Sequence, residues 1–93
     1  MIIAEEALEG PLAKDVMALG AHGYTVSDVR GCGSHGMRSG VWDADSSIRM
    51  EILCDADTSL AITRHVEDAY FRNYAMVTYV ADVGVLRPEK FVR

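Results

Sequence analysis

The stretch from Arg30 to Gly40, RGCGSHGMRSG, holds the residue types best suited to binding a small anion. It contains four of the chain's eight glycines, which let backbone N–H groups approach a ligand closely. Arg38 supplies a planar fork of donors for phosphate oxygens, and Ser34, His35 and Ser39 add side-chain donors. Because the stretch lacks paired carboxylates or thiolates, it predicts a phosphate site rather than a metal site.

The length of this loop favours a functional role. It joins two strands expected to be antiparallel neighbours, where a two-residue turn would suffice, yet it uses about sixteen residues. Gly31, Gly33 and Gly36 form a GxGxxG pattern. The pattern opens no helix, so it is not the dinucleotide-binding motif. On the pattern alone, a solvated hairpin loop is the alternative.

Other residues of the loop carry weaker chemistry. Trp42 is predicted to be an exposed anchor for a protein partner, with local packing as the alternative. Asp43 and Asp45 are too few to define a metal site. Cys32 would need a base such as His35 within reach to act as a nucleophile, so a spectator thiol is favoured. We therefore predict no catalytic residue and no metal ligand.

Composition limits the classes of function. Ninety-three residues with 49% apolar content allow one domain with a modest core, and the apolar share suggests that a partner subunit covers further surface. The net charge of −5 argues against nucleic acid or an anionic membrane as a partner. Two cysteines without zinc spacing, and no apolar run of transmembrane length, predict a cytoplasmic protein that is not inserted in a membrane.

The elements that must position the loop alternate between strand and helix patterns. Residues spaced for one helical face occur twice, and residues 48–54 alternate between apolar and polar. The predicted order is a strand at 1–4, a helix from Pro11 to Gly20, strands at 24–30 and 48–54, a helix after the caps at 55–58, and a strand at 75–86. This order predicts an α+β, ferredoxin-like βαββαβ fold with a four-stranded antiparallel sheet and two helices.

Burial is predicted from the same patterns. Apolar faces are expected on both helices, comprising Leu8, Leu12, Val16 and Leu19 on the first and Ile62, Val66, Ala69 and Tyr70 on the second. The nearly continuous apolar run Ala75–Leu86 is predicted to be the best-buried strand. His22 and His65 are expected on helices as surface or packing residues, and Cys54 in the core. The first strand is shorter than the five or six residues a central strand needs, so it either starts upstream or is completed otherwise.

Several segments together resemble a known family. The run Gly23–Gly33, GYTVSDVRGCG, is similar to the second strand and loop entry of PII signalling proteins. Residues 33–34, 38–39, 48–51 and 70–75 resemble the PII-like SbtB and carboxysome-associated CPII proteins, and residues 85–91 resemble the end of CPII. The resemblance covers the chain from about Ile3 onward, as a single domain of residues 1–93. It implies that residues 31–47 correspond to the family's T-loop and 87–93 to its C-terminal tail.

The resemblance also implies a homotrimer with adenine-nucleotide sites between subunits. The implied nucleotide-binding residues are Thr25, Gly33, Ser34, His35, Arg38, Ser39, Arg49, Tyr74, Ala75, Met76, Arg87 and Lys90. Arg38 would hold phosphate, Tyr74–Met76 would line the adenine through backbone groups, and Arg87 and Lys90 would close the site. For Arg49, a cross-strand partner is an equal alternative.

What the resemblance implies for function is regulation through a mobile loop. The Gly-Lys segment that grips phosphates in PII proteins is replaced by Asn73–Ala75, which favours AMP or ADP over ATP, with cyclic AMP as a further ligand. Bicarbonate is a candidate ligand because guanidinium and N–H groups suit a small planar anion. The implied partner is a bicarbonate transporter or carboxysome-associated protein. The alternatives are a slow nucleotide phosphohydrolase, a CutA-like metal-binding trimer, and an amino-acid-sensing regulatory domain.

Overall fold

The structure, a computed structural model, describes residues 1–30 and 47–90. In this part of the chain, four strands and two α-helices follow the predicted order. They are β1 (Ile2–Glu5), α1 (Glu9–Ala18), β2 (Thr25–Val29), β3 (Ser47–Glu51), α2 (Ala56–Tyr70) and β4 (Val77–Thr78). Single turns of 3-10 helix at Glu6–Leu8 and Pro88–Lys90 precede α1 and follow β4.

The four strands form one antiparallel sheet in the order β2-β3-β1-β4. This arrangement confirms the predicted ferredoxin-like fold. Although β1 has only four residues, its pairing continues for one more rung: the Met1 amine donates to the Tyr79 carbonyl, and the Tyr79 N–H donates to the Met1 carbonyl, each at 3.1 Å. The pairing of the first strand with the chain just beyond β4 thus extends to Met1.

The core lies between the sheet and the two helices. Apolar side chains of β1 and β3 meet those of α1 and α2, and the largest fully buried ones are Leu12, Ile48, Met50, Val16 and Val66. The predicted helical faces are confirmed at Leu8, Leu12, Val16, Ile62 and Val66, while Leu19 and Tyr70 are half-buried. Ala69 is exposed, so its inclusion in the second face was wrong.

The burial predicted for Ala75–Leu86 is wrong. β4 contains only Val77 and Thr78, and the exposed fractions rise from 47% at Val77 to 62% at Val80 and Val83 and 100% at Leu86. The physical reason is position: β4 is an edge strand, and most of this segment lies beyond the core beneath the helices. Apolar composition alone does not say whether a segment is covered by its own chain.

The boundaries of α1 differ from the prediction in instructive ways. The helix begins at Glu9 rather than Pro11. Pro11 is still within the first turn, where N–H groups have no partner inside the helix. After the helix, Gly20 adopts φ of +115°, a conformation that favours glycine. The chain then leaves the helix, so His22 lies in a bend and not on a helix as predicted.

On the same face of the sheet as α1, the predicted cap of α2 is confirmed at Asp55. The Asp55 carboxylate accepts a hydrogen bond from the Thr58 N–H at 2.9 Å. This hydrogen bond, with the Thr58 hydroxyl, lowers the pKa of Asp55. Ser47, predicted as the end of the loop, is instead the first residue of β3 and is buried.

Candidate functional site

The face of the sheet turned away from the helices carries two of the predicted nucleotide-binding residues. Thr25 pairs with Glu51, and Ser27 pairs with Arg49 in the next rung on the same face. Thr25, Arg49 and Glu51 are exposed. Since diagonal neighbours on two strands lie within reach of a long side chain, Thr25 and Arg49 can contact one ligand. The open face therefore offers a hydroxyl and a guanidinium beside a carboxylate.

The segment predicted to line the adenine lies at the opposite edge of the sheet. Tyr74–Met76 leads directly into β4, which pairs only with β1 in the described sheet. Tyr74 is exposed, whereas Met76 packs against the core cluster. From β2 to β4 there are three strand spacings, about 14 Å. One chain thus holds its two groups of predicted ligand-binding residues at separate edges.

Arg87 and Lys90 lie apart from both of these groups. Lys90 is in the last described turn, Pro88–Lys90, and Arg87 directly precedes it. Both side chains are exposed, and the Lys90 N–H donates to the Arg87 carbonyl at 3.1 Å. Tyr79 pairs with Met1 at the end of the sheet where β1 begins, which is also the end where Thr25 pairs with Glu51. The chain from residue 80 to residue 90 therefore leaves the sheet at that end. The predicted residues within 1–30 and 47–90 do not converge on a single pocket in one chain.

A cleft of about 700 Å³ lies between the beginning of α2 and the segment 79–88. Its lining mixes exposed apolar side chains with polar ones and includes Leu53, Leu60, Val80, Val83, Asp55 and Ser59. Neither Thr25, Arg49 nor Tyr74 contributes to it. Among the residues that the structure describes, the cleft is therefore separate from those predicted to bind the nucleotide, and its apolar walls suit a protein surface better than a phosphate.

Cys54 lies in the wall of this cleft and also touches the core, as predicted. Burial raises the pKa of its thiol, and the nearby Asp55 carboxylate acts in the same direction. A thiol held in its neutral form is a poor nucleophile. Cys54 thus offers the cleft a small apolar surface and no reactive group.

The structure also reveals a polar cluster between the helices that the sequence analysis missed. The Tyr70 hydroxyl donates to Asp15 Oδ2 at 2.6 Å, and His65 Nε2 lies 2.9 Å from the same oxygen. Since a carboxylate only accepts, Nε2 carries the proton. The sequence analysis expected His65 to be a surface or packing residue and did not predict its contacts with Asp15 and Tyr70. Asp15 lies 50 residues from His65 and 55 from Tyr70 in the chain.

The hydrogen bonds in this cluster lower the pKa of Asp15 and raise that of Tyr70. Partial burial alone would raise the pKa of Asp15, but hydrogen bonds from Tyr70 and His65 outweigh it, so the pKa falls below its ordinary value. Burial and the bond to Asp15 raise the pKa of Tyr70 to about 12. At neutral pH the carboxylate is therefore ionised and the phenol protonated, which is the state that forms the hydrogen bond.

The remaining predicted residues fall outside the described part of the chain. They are Gly33, Ser34, His35, Arg38 and Ser39 for the nucleotide and Trp42 for a partner. Among residues 1–30 and 47–90, no three histidine, cysteine, aspartate or glutamate side chains form a metal-binding group. Within the same ranges, no helix is long and apolar enough to cross a membrane.

We compared the sequence with models of known protein families to find the class to which this fold belongs. Residues 1–90 match the model of the family described as nitrogen regulatory protein P-II. The match spans nearly the whole chain and agrees with the strand order and helix positions described above. The chain therefore belongs to the P-II family.

Several solved structures of PII-like proteins are similar to this chain over nearly its whole length. A PII-like signalling protein from Thermus thermophilus is 42% identical, with a TM-score of 0.82 over 98% of this chain and 90% of that one. CPII from Thiomonas intermedia K12, bound to ADP, AMP and bicarbonate, is 27% identical, with a TM-score of 0.83 over 99% of this chain and 90% of that one. The same protein bound to ADP, AMP and acetate is 26% identical, with the same TM-score and coverage.

Proposed function

We propose that this protein is a PII-like regulator that binds ADP or AMP in clefts between the subunits of a homotrimer. ATP and cyclic AMP are further candidate ligands. The observation that carries the proposal is the likeness to CPII, whose structures hold ADP and AMP and match 99% of this chain. Thr25, Arg49, Tyr74–Met76, Arg87 and Lys90 are the described residues assigned to the nucleotide.

The positions of these residues support a site completed by two subunits. Thr25 and Arg49 lie towards the β2 edge, while Tyr74–Met76 leads into the β4 edge. A nucleotide touching both sets in one chain would have to lie flat across β3 and β1. When one subunit's β2 edge faces its neighbour's β4 edge, both sets reach one ligand without covering the sheet.

The exposed apolar segment after β4 supports the trimer. Tyr79, Val80, Val83 and Leu86 are each more than half exposed. Exposed apolar side chains grouped in this way mark an interaction surface. A second copy of the chain is the partner that fits, because the family resemblance implies trimers and the segment adjoins the β4 edge.

Bicarbonate is a second ligand we propose for this regulator. CPII has been solved with bicarbonate in two structures and with acetate in a third, and both are small planar anions. On the open face of the sheet, Arg49 provides an exposed guanidinium group among the described residues. The planar arrangement of its N–H donors suits such an anion. On the family resemblance, we further propose a role in control of bicarbonate uptake or of carboxysomes.

In this proposal the protein regulates and does not catalyse. Ligand binding changes residues 31–47, the T-loop equivalent, and the changed loop alters affinity for a partner. The partner is a bicarbonate transporter or a carboxysome-associated protein in the cytoplasm, with Trp42 as its contact. The 87–93 tail closes the nucleotide site through Arg87 and Lys90.

Isothermal titration calorimetry with ADP, AMP, ATP and cyclic AMP, with and without bicarbonate, tests the proposal. We expect ADP and AMP to bind. We also expect Arg38→Ala to weaken binding by about 1.5–3 kcal/mol, the range for a charge-assisted hydrogen bond. Arg49→Ala should weaken it about tenfold.

The matched control for these arginine variants is Arg64→Ala. Arg64 is also exposed, but it lies on α2, on the other side of the sheet. This substitution removes the same charge and should leave the affinity for ADP within about twofold of the wild type, since surface changes away from a site have small effects. Lack of binding by all four nucleotides at millimolar concentration would refute the proposed function.

A further inference from the structure

The hydrogen-bonded cluster between the helices connects to the segment assigned to the nucleotide. We propose that Asp15, acting through Tyr70, is a positioning residue for Tyr74–Met76, and this inference rests on the proposed function. Asp15 lies on α1, Tyr70 is the last residue of α2, and Tyr74–Met76 follows α2 after the three-residue turn 71–73. No atom of Asp15 needs to touch the ligand.

The contacts run in an unbroken series from Asp15 to Tyr74. The Tyr70 hydroxyl donates to Asp15 Oδ2 at 2.6 Å. The Tyr70 carbonyl accepts hydrogen bonds from the N–H groups of Asn73 and Tyr74, at 3.1 and 3.0 Å. The rings of Tyr70 and Tyr74 are tilted at 50° with centroids 6.1 Å apart. Tyr70 therefore holds the turn by its backbone and is itself held by its hydroxyl.

Between Tyr70 and Met76, which packs against the core cluster, the turn after α2 has few buried side chains to hold it. Residues 71–74 are all exposed, and Ala75 and Met76 are only half-buried. Tyr70 packs against the core cluster through its ring, which fixes its depth. The hydroxyl bond to α1 adds a second fixed point and sets the orientation of the ring. With both points in place, the backbone of Tyr74–Met76 has a defined position before any ligand arrives.

A pre-positioned segment binds more tightly because less conformational entropy is lost when the ligand arrives. His65 contributes by donating to the same oxygen, Asp15 Oδ2, and by placing its ring edge-on to Tyr70, with ring centroids 6.1 Å apart at 76°. Lys14, the neighbour of Asp15, also favours the ionised carboxylate. The cluster is therefore set to keep Tyr70 hydrogen-bonded at neutral pH.

The test compares Tyr70→Phe with the wild-type protein by calorimetry with ADP and AMP. Tyr70→Phe removes only the hydroxyl and keeps both the ring and the backbone carbonyl. We expect affinity to fall about three- to tenfold, the equivalent of one hydrogen bond. Asp15→Ala is the second variant, for the case in which Tyr70→Phe does not fold. Glu67→Gln is the control, because it neutralises an exposed carboxylate elsewhere on α2.

Amide hydrogen exchange supplies a readout that separates positioning from general stability. In Tyr70→Phe, the amides of Asn73 and Tyr74 should exchange faster, while the Ser59 amide at the start of α2 keeps the wild-type rate. ADP binding to the wild-type protein should slow exchange at Asn73 and Tyr74.

The outcomes distinguish failure of the inference from failure of the proposed function. If the wild-type protein binds ADP or AMP and both Tyr70→Phe and Asp15→Ala bind equally well, the positioning role is wrong and the nucleotide site stands. Equal acceleration of exchange at Asn73, Tyr74 and Ser59 would also overturn the inference, since the loss would be global. If the wild-type protein binds neither nucleotide, both proposals fail together.

Discussion

Two apolar segments of the chain, β3 and the segment 77–86, have opposite fates in the fold. In β3, Ile48 and Met50 are 1% and 0% exposed, while in the later segment Val80 and Leu86 are 62% and 100% exposed. β3 is central and has a paired strand on each side, whereas β4 is at an edge. The two segments are alike in their apolar side chains and differ in the number of neighbours that their own chain supplies.

This difference shows which apolar residues the chain buries in its own core, and in the proposed trimer the exposed ones are available for contacts between subunits. Side chains of β1, β3 and both helices close a core within one chain. Those beyond β4 contribute little to that core and instead form an exposed surface next to the cleft of about 700 Å³. Substitutions in β3 should therefore change the stability of the subunit, and substitutions after β4 should change association between subunits.

The largest expected effect is that of Met50→Ala. Met50 is fully buried on a central strand, so the substitution removes buried atoms and leaves a cavity. The free energy of unfolding should fall by about 2–5 kcal/mol, measured by urea denaturation at fixed protein concentration. Met17→Ala is the matched control, because Met17 is 45% exposed on α1. A similar loss for both variants would contradict the description of the core.

A smaller effect, confined to association, is expected from Val80→Ser. Val80 is 62% exposed in one subunit, and covering it on assembly would contribute up to about 1.5 kcal/mol per subunit. Sedimentation velocity over a range of protein concentrations should show the trimer dissociating at higher concentration than the wild type. Met17→Ser, an exposed apolar side chain away from this segment, should leave the trimer unchanged. Unaltered association of Val80→Ser would remove this segment from the interface.

The smallest effect is expected from Tyr70→Phe, at the junction between the core and the segment leading to β4. At neutral pH the loss of the hydroxyl bond to Asp15 should cost about 1 kcal/mol. The pKa of Tyr70 is raised from 10.0 to about 12, so the folded state retains a proton that the unfolded state loses. The contribution is therefore complete below pH 10 and is lost as pH rises towards 12.

Measuring the free energy of unfolding of both proteins across this alkaline range checks the sign. The wild-type stability should fall more steeply than that of Tyr70→Phe, because only the wild type has this phenol to deprotonate. If the free energies of unfolding of the two proteins changed in parallel with pH, the hydroxyl of Tyr70 would have the same pKa in the folded and unfolded states. The hydrogen bond to Asp15 would then have no energetic consequence.

The order of elements and the inner faces could be predicted because they depend on local periodicity. Leu12 and Val16, and likewise Ile62 and Val66, are spaced for one helical face, and both pairs are buried. The alternation of Ile48 and Met50 with exposed Arg49 is similarly local. What failed was the burial of 75–86, because periodicity reports apolar content and not which neighbour covers it.

The candidate site was less predictable because its contacts are distant in sequence. Thr25 and Arg49 could be named only from a family resemblance, and the register that places them on one face came from the structure. The bond between Asp15 and Tyr70 spans 55 residues, and no local spacing in the sequence pairs the two. The one available sign is that Asp15 and Tyr70 both lie beside the buried helical faces, where a polar group has few partners.

Native mass spectrometry of the wild-type protein with ADP tests the central claim most directly. The account predicts an assembly of three chains that gains up to three ADP molecules, because each ligand lies between two subunits. It also predicts that subunits separated from this assembly carry no ADP. A monomer that binds ADP on its own, or a three-chain assembly that binds none, would contradict it.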